Sequence, residues 1–258
     1  METIKYYEHT YQSFYNDAKM RECVDKSRCR SRAKTQKEWF GTANFSEAFN
    51  YAQGGWDAGL KQLDITDGET ARGGMELRQS VAGAIPNVQN YLQGLPLQMY
   101  EYVNPNDYNT ETLDIFVPLC YASSVSGAKA LRFTQSIVTL VNAIQSKYDV
   151  RLIGIVDASH DDYRSIDRII IKERGERFVL NNVAFAFHPS FFRRIWFAHA
   201  ETRDYIDYGY GRPNDTAKQW KENDKLVGSD KALYIPQIED AGDGNGRFKY
   251  EDCKEVNF

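Results

Sequence analysis

Apolar runs of strand length flank one long helical pattern in the second half of the chain. Residues 113–121 form a near-continuous apolar run, and residues 151–156 form a shorter one. Such runs are typical of strands that are covered on both faces. Between them, apolar side chains recur at helical spacing as far as about residue 147. The inward-facing positions of this helix are predicted to be Leu131, Ile137, Val138, Val141 and Ile144. Strand, long helix and strand predict a βαβ unit whose two strands are adjacent, parallel and buried.

Three further elements are predicted downstream of this unit. Residues 167–172 and 177–187 flank a turn at residues 174–176, which favours a hairpin at the edge of the sheet. Pro189 suits the first turn of a helix that extends to about residue 203. Residues 232–238 form a last apolar run, and the proline within it favours the edge or the end of the sheet.

Residues 1–110 are predicted to form a helical and irregular extension that packs on an α/β domain of residues 111–258. Early in the chain, aromatic residues recur at spacings of three and four, which predicts one face of a helix. These residues are Tyr6, Tyr7, Tyr11, Phe14 and Tyr15. Ser46 is predicted to cap a helix that runs to about residue 60. Residues 83–99 predict ordered irregular structure, because apolar anchors occur among turn-forming residues.

Positive charge is concentrated in a basic segment, residues 19–37, which holds eight Lys or Arg against two acidic residues. The segment therefore carries +6, and the rest of the chain carries −10 of the net −4. This asymmetry indicates contact with nucleic acid, because cations displace counterions from phosphates and aromatic rings stack on unpaired bases. The predicted contacts are Arg28, Arg30, Arg32, Lys34, Lys37, Trp39 and Phe40, together with Arg193 and Arg194 of the later helix. A solvated helix face explains the same charges equally well.

Catalysis, cofactors and membrane insertion are not expected from the sequence. The four cysteines include no CxxC pair, and no glycine-rich phosphate-binding motif follows the first apolar strand. Cys120 falls in a buried strand and is predicted to be inert. His160 lies among Asp157, Asp161 and Asp162, which favours an exposed acidic loop over a hydrolase site. Since no apolar stretch reaches 18 residues, the cytoplasm is the expected location.

The order of elements over residues 113–238 resembles the von Willebrand factor A fold, an α/β fold with a parallel-core sheet and flanking helices. That family holds a divalent cation with an Asp-x-Ser-x-Ser turn after its first strand. The matching residues 122–126 keep Ser124 and Ser126 but place Ala122 at the aspartate position, while Asp240 matches a distal carboxylate. No divalent ion is expected here, because a hard cation depends on carboxylates. The turn is instead predicted to bind a protein partner through Ser123, Ser124 and Ser126.

Other stretches resemble uncharacterised bacteriophage proteins, namely residues 54–56, 83–99 and 188–194. The basic segment and its aromatic neighbours are also similar to what a single-stranded DNA-binding activator of middle transcription in Enquatrovirus-like phages requires. This resemblance implies a non-enzymatic phage accessory protein, acting in the cytoplasm of the infected host cell. Its implied partners are single-stranded DNA and a phage protein such as RNA polymerase. The alternative is a protein–protein interaction module of von Willebrand factor A type with no nucleic-acid role.

Overall fold

A computed structural model of the chain describes residues 3–16, 37–56, 59, 61, 76–83, 85–103, 111–144, 147–160, 163–176, 180–204, 212–213 and 231–257. The strands are β1 (Thr3–Thr10), β2 (Glu76–Ser80), β3 (Ile85–Pro86), β4 (Met99–Val103), β5 (Glu111–Pro118), β6 (Tyr148–His160), β7 (Tyr163–Lys172), β8 (Arg212–Pro213), β9 (Lys231–Tyr234) and β10 (Lys254–Asn257). The α-helices are α1 (Tyr11–Asn16), α2 (Lys37–Phe40), α3 (Phe45–Gly54), α4 (Val88–Leu92), α5 (Gly127–Ile144), α6 (Leu180–Ala186) and α7 (Phe197–Asp204). A π-helical turn, Phe191–Trp196, leads directly into α7.

The main sheet has a mostly parallel core with helices beside it. Among the described residues its strand order is β1–β7–β6–β5–β9–β10, and β8 pairs with β6 off this path. β5 runs parallel to β6, with Phe116 opposite Ile153, and parallel to β9 on its other side. α5 connects β5 to β6 along the chain. The predicted βαβ unit with adjacent, parallel and buried strands is therefore confirmed.

The predicted hairpin of residues 167–172 and 177–187 is wrong. β7 instead pairs antiparallel with the preceding strand, β6, and residues 180–186 are helical. β6 continues through residues 157–160, which were expected to be a polar loop, because the Asp157 carboxylate is buried against Arg164. The Arg164 Nε and Nη2 atoms donate to the two carboxylate oxygens at 2.9 and 2.7 Å. The helix at residues 180–186 was predicted as a strand because a short apolar run fits a buried helix as well as a buried strand.

The early aromatic residues divide between a strand and a helix instead of forming one helical face. β1 holds Tyr6 and Tyr7 and adds a strand to the main sheet, parallel to β7. In a strand, neighbouring side chains point to opposite faces. Accordingly Tyr6 is exposed, whereas the Tyr7 hydroxyl donates to Asp204 at 2.9 Å. Phe14 and Tyr15 lie on α1 and are buried.

The predicted helix after residue 46 is present, but its boundaries differ. Asn44 is the N-cap of α3, and its side chain accepts from the Glu47 backbone N–H at 2.8 Å. Ser46 therefore lies inside the helix. The helix ends at Gly54, because Gly55 follows with a φ of 89°, which favours glycine.

Side chains on the two faces of the sheet enter different apolar clusters. Ile115 and Val117 of β5 pack with α5, α6 and the π-helical turn in the larger cluster. Phe116 of β5 packs with Ile153 and Ile155 of β6 in the smaller one. The alternation is that of strands covered on both faces, as the apolar runs predicted.

A second, smaller sheet lies within residues 76–103. It has the order β2–β4–β3, and both of its pairings are antiparallel. The prediction of ordered irregular structure over residues 83–99 is thus correct in part, because the stretch also contains β3 and α4.

Candidate functional site

The turn that follows β5 leaves the sheet at the carboxyl ends of its parallel strands, where α/β proteins usually place ligand sites. Ser123, Ser124 and Ser126 are exposed, while Val125 is buried and holds the turn to the core. The Ser126 hydroxyl accepts from the Lys129 backbone N–H at 3.2 Å, in the first turn of α5. The turn therefore presents the hydroxyls of Ser123 and Ser124 from a fixed backbone.

Arg193 lies beneath this turn and is only 1% exposed. Its Nη2 atom donates to the carbonyl oxygens of Ala122 at 3.2 Å and Val125 at 2.7 Å, and its Nη1 atom donates to Trp39 O at 2.7 Å. The guanidinium carbon lies 4.4 Å from the centre of the Trp39 ring and 4.9 Å from that of Tyr121. Burial lowers the pKa of Arg193, but a guanidinium stays protonated in proteins. One buried cation therefore joins the turn to α2.

Trp39 makes a second connection between α2 and the turn. Its indole Nε1–H donates to the Ser123 carbonyl oxygen at 3.0 Å. The ring is partly exposed, and Lys37 is exposed two residues earlier. α2 closes at Gly41, whose N–H donates to Lys37 O at 2.7 Å and whose φ of 83° favours glycine. The end of the basic segment is therefore held at the carboxyl edge of the sheet.

A carboxylate also contacts this turn, from the segment that follows β9. Glu239 Oε1 accepts from the Ala122 backbone N–H at 2.5 Å. Asp240, the residue matched to a distal carboxylate, is the exposed next residue. Within the described part of the chain, no three His, Cys, Asp or Glu residues are grouped as ligands of a metal ion. The arrangement is therefore a hydrogen-bonded edge that is held together by a buried guanidinium.

The structure corrects the predicted roles of Phe40, Arg193 and Arg194. All three are buried, so neither a base nor a phosphate reaches them in this fold. The Arg194 guanidinium lies 4.0 Å from the centre of the Phe40 ring and donates to Thr42 Oγ1 and Thr42 O at 2.9 Å each. These contacts stabilise the packing of α2 against the π-helical turn.

The remaining predicted residues fall into two groups. Arg28, Arg30, Arg32 and Lys34 lie outside the described residues. Lys37 and Trp39 are brought to the same edge as Ser123, Ser124 and Ser126, which the sequence had assigned to a separate partner site. Sequence reasoning missed the buried support of that edge by Arg193. A signal was present, because Arg193 and Arg194 interrupt an otherwise apolar stretch, residues 191–198.

Cys120 and His188 are buried near this edge and take no part in it. Burial raises the pKa of the Cys120 thiol to about 12, so the reactive thiolate is scarce at neutral pH. Burial lowers the pKa of His188 to about 3, so its imidazole is neutral. His188 Nδ1 accepts from the Ser190 backbone N–H at 3.2 Å, and its ring packs 4.3 Å from that of Trp56. Both side chains are structural.

A family model described as a domain of unknown function, DUF7192, matches residues 2–256. The chain belongs to the DUF7192 family. The match includes both the basic segment and the turn after β5, so the edge described above lies within one family unit. No curated protein and no solved structure matches the chain. Among the described helices of this family member, none has the length and apolar character needed to span a bilayer.

Proposed function

We propose that this DUF7192 protein is a non-enzymatic phage accessory protein that binds single-stranded DNA and a protein partner at one edge. The observation that supports this proposal is that Trp39, two residues after the basic segment, and Arg193 hold α2 against the turn that follows β5. A DNA strand bound at the Lys37 end of the segment would lie next to a protein bound at the turn. Recruitment of a phage RNA polymerase to DNA requires such an arrangement.

Phosphate contacts carry most of the proposed affinity for DNA. With Phe40, Arg193 and Arg194 buried, the contact set is reduced to Arg28, Arg30, Arg32, Lys34 and Lys37, with Trp39 beside them. Neutralisation of phosphates by five cations makes binding dependent on salt and tolerant of sequence. The partly exposed ring of Trp39 offers a base limited stacking area, because the Arg193 guanidinium lies over it.

The second candidate is a protein-interaction module of von Willebrand factor A type with no role in nucleic-acid binding. It is favoured by the exposed hydroxyls of Ser123 and Ser124, which need no DNA to bind a partner. The order of β5, the turn with Ser123 and Ser124, α5, β6 and the antiparallel β7 also supports a resemblance to the von Willebrand factor A fold. In this candidate the basic segment is a solvated or partner-binding surface.

Fluorescence anisotropy with a labelled single strand, at several salt concentrations, tests the DNA-binding proposal. Replacing Arg28, Arg30 and Arg32 with Ala should weaken binding and reduce the salt slope by about two, at roughly 0.7 per lost phosphate contact. The matched control replaces three exposed cations outside the segment, Lys61, Arg247 and Lys254, and should keep the wild-type slope.

One result of this experiment decides between the two candidates, and a second tests the preference for single strands. If the Arg28, Arg30 and Arg32 variant keeps the wild-type affinity and salt slope, the basic segment does not bind DNA and the protein-interaction module becomes the function. An equal loss of affinity for duplex of the same length would show an electrostatic contact without preference for single strands. The Ser123→Ala/Ser124→Ala variant should bind DNA as the wild type does, because its changes lie on the proposed protein-binding side.

A further inference from the structure

Six large apolar side chains are exposed within residues 81–97, three of them on α4 and three in the segments that connect α4 and the strands of the small sheet. They form the apolar patch, which consists of Val81, Val88, Tyr91, Leu92, Leu95 and Leu97, and each is between 39% and 78% exposed. No Asp, Glu, Lys or Arg occurs between Gln79 and Tyr100. A stretch of 22 uncharged residues is unusual in a chain that is 26% charged.

Hydrogen bonds within the stretch hold these side chains outward. Asn87 is 4% exposed, its Oδ1 atom accepts from the Asn90 N–H at 3.2 Å, and its own N–H donates to Gln98 O at 2.8 Å. Asn90 Nδ2 donates to Leu97 O at 2.7 Å, and Asn90 O accepts from the Leu95 N–H at 2.9 Å. A polar side chain is therefore buried while apolar ones face solvent, the reverse of the usual distribution.

The patch is large enough to be an interface. Added together, the exposed fractions of these six side chains correspond to roughly 600 Å², which is the upper end of the largest patch on an ordinary monomer. Two such patches in contact would bury about 1,200 Å², which reaches the range of specific protein interfaces. Tyr91 and Leu92, the middle of the patch by sequence, are 67% and 78% exposed and would lose the most contact with water.

We propose that the apolar patch is the interface between two copies of this chain in a two-fold symmetric dimer. The chain carries a net charge of −4, so most pairs of surfaces on two copies repel. The patch has no charged residue and avoids that repulsion. A partner with a charged surface, or an anionic membrane, would find no opposite charge here. A two-fold interface uses the same patch on both copies, so the patch needs only to be self-complementary.

Sedimentation equilibrium of the full chain, without DNA, tests the dimer over about 1–100 µM protein. The wild type should form dimers in this range. Tyr91→Asp/Leu92→Asp should raise the Kd at least about 100-fold, because two-fold symmetry makes each lost contact count twice. The two side chains are mostly exposed, so the circular dichroism spectrum should stay unchanged. The matched control is Ile4→Asp/Tyr6→Asp, which places the same charges at exposed apolar positions on β1 and should keep the dimer.

Three outcomes would overturn the dimer. The first is a wild type that sediments as a monomer at 100 µM. The second is a Tyr91 and Leu92 variant that associates as tightly as the wild type. The third is a β1 control that loses association to the same extent as that variant. The second outcome would place the interface elsewhere, and the third would show a general effect of added charge. Because no DNA is present, failure of this proposal would leave the proposed DNA binding untouched.

Discussion

Replacement of Arg193 with Met tests whether the buried guanidinium is the structural support of the candidate edge. Methionine keeps a long side chain in the site but removes every donor, so the carbonyl oxygens of Trp39, Ala122 and Val125 lose their bonds from the guanidinium, and Ala122 O keeps only the Val125 N–H. A hydrogen bond contributes about 1 kcal/mol net, and more when one member is charged. Three such bonds give an expected loss of about 3 kcal/mol in the free energy of unfolding.

Two opposing effects determine the free energy of unfolding of the Arg193→Met variant. Removal of the guanidinium also relieves the penalty of burying a charge, and replacement of a whole buried ionic group by apolar residues is often neutral or stabilising. Here the partners of Arg193 are backbone carbonyls, which the substitution cannot replace. The three carbonyl acceptors therefore remain in the variant, and the Val125 oxygen, whose bond to Arg193 is fully buried, is the most costly to leave without that donor. We expect the loss of the bonds to outweigh the relief of desolvation.

Urea denaturation followed by circular dichroism measures the change in stability. Arg132→Met is the matched control, because the Arg132 Nε–H makes one exposed bond to Asn245 O at 2.9 Å, and it should cost less than about 1 kcal/mol. Hydrogen exchange gives a local measure, since the Val125 N–H donates to Ala122 O at 3.1 Å within the turn and should exchange faster in the Arg193 variant. Wild-type stability or greater in Arg193→Met would refute the reasoning.

Two further predictions concern pH and metal ions. Because burial lowers the pKa of His188 to about 3, the unfolded chain takes up a proton below pH 6.5 that the folded chain does not. Stability contributed by the neutral imidazole should therefore fall by about 2 kcal/mol between pH 7.5 and 5. In urea denaturation His188→Gln should lose that part of the pH dependence, and an unchanged dependence would contradict the assignment. For metals, calorimetry with magnesium and manganese should show no binding of micromolar affinity, because Ala122 stands where a carboxylate is needed. A stoichiometric signal removed by Ser124→Ala would show this to be wrong.

The central part of the sheet could be predicted because its sequence signal is continuous. Residues 113–121 and 151–156 are apolar at almost every position, which is typical of strands covered on both faces, and a long helical pattern separates them as in a βαβ unit. The edges could not be predicted in this way. β1 contains polar and aromatic residues whose spacing also suits a helix, and its pairing with β7 depends on a strand about 160 residues away in sequence, as in the pair of Glu8 and Arg168.

The sequence predicted several residues of the candidate edge, but it did not predict that they lie next to one another. Trp39 and Ser123 were each selected from local features, yet the hydrogen bond between them joins positions separated by 84 residues. Arg193 was expected to be exposed because arginine is rarely buried. Its burial is possible here because three carbonyl oxygens and two aromatic rings surround one planar cation. That environment exists only after α2, the turn and the π-helical turn have packed together.

The burial of Arg193 and Arg194 also reduces the set of residues that are available for the proposed DNA contact. With these two cations inside the fold, the proposed phosphate contacts all come from one stretch of the sequence about ten residues long, from Arg28 to Lys37. A single strand can follow a linear series of cations one phosphate at a time. A duplex has two charged strands around its circumference and would turn much of that charge toward a body whose net charge is −10 outside the basic segment. The proposed function therefore predicts weaker binding to duplex than to a single strand of the same length.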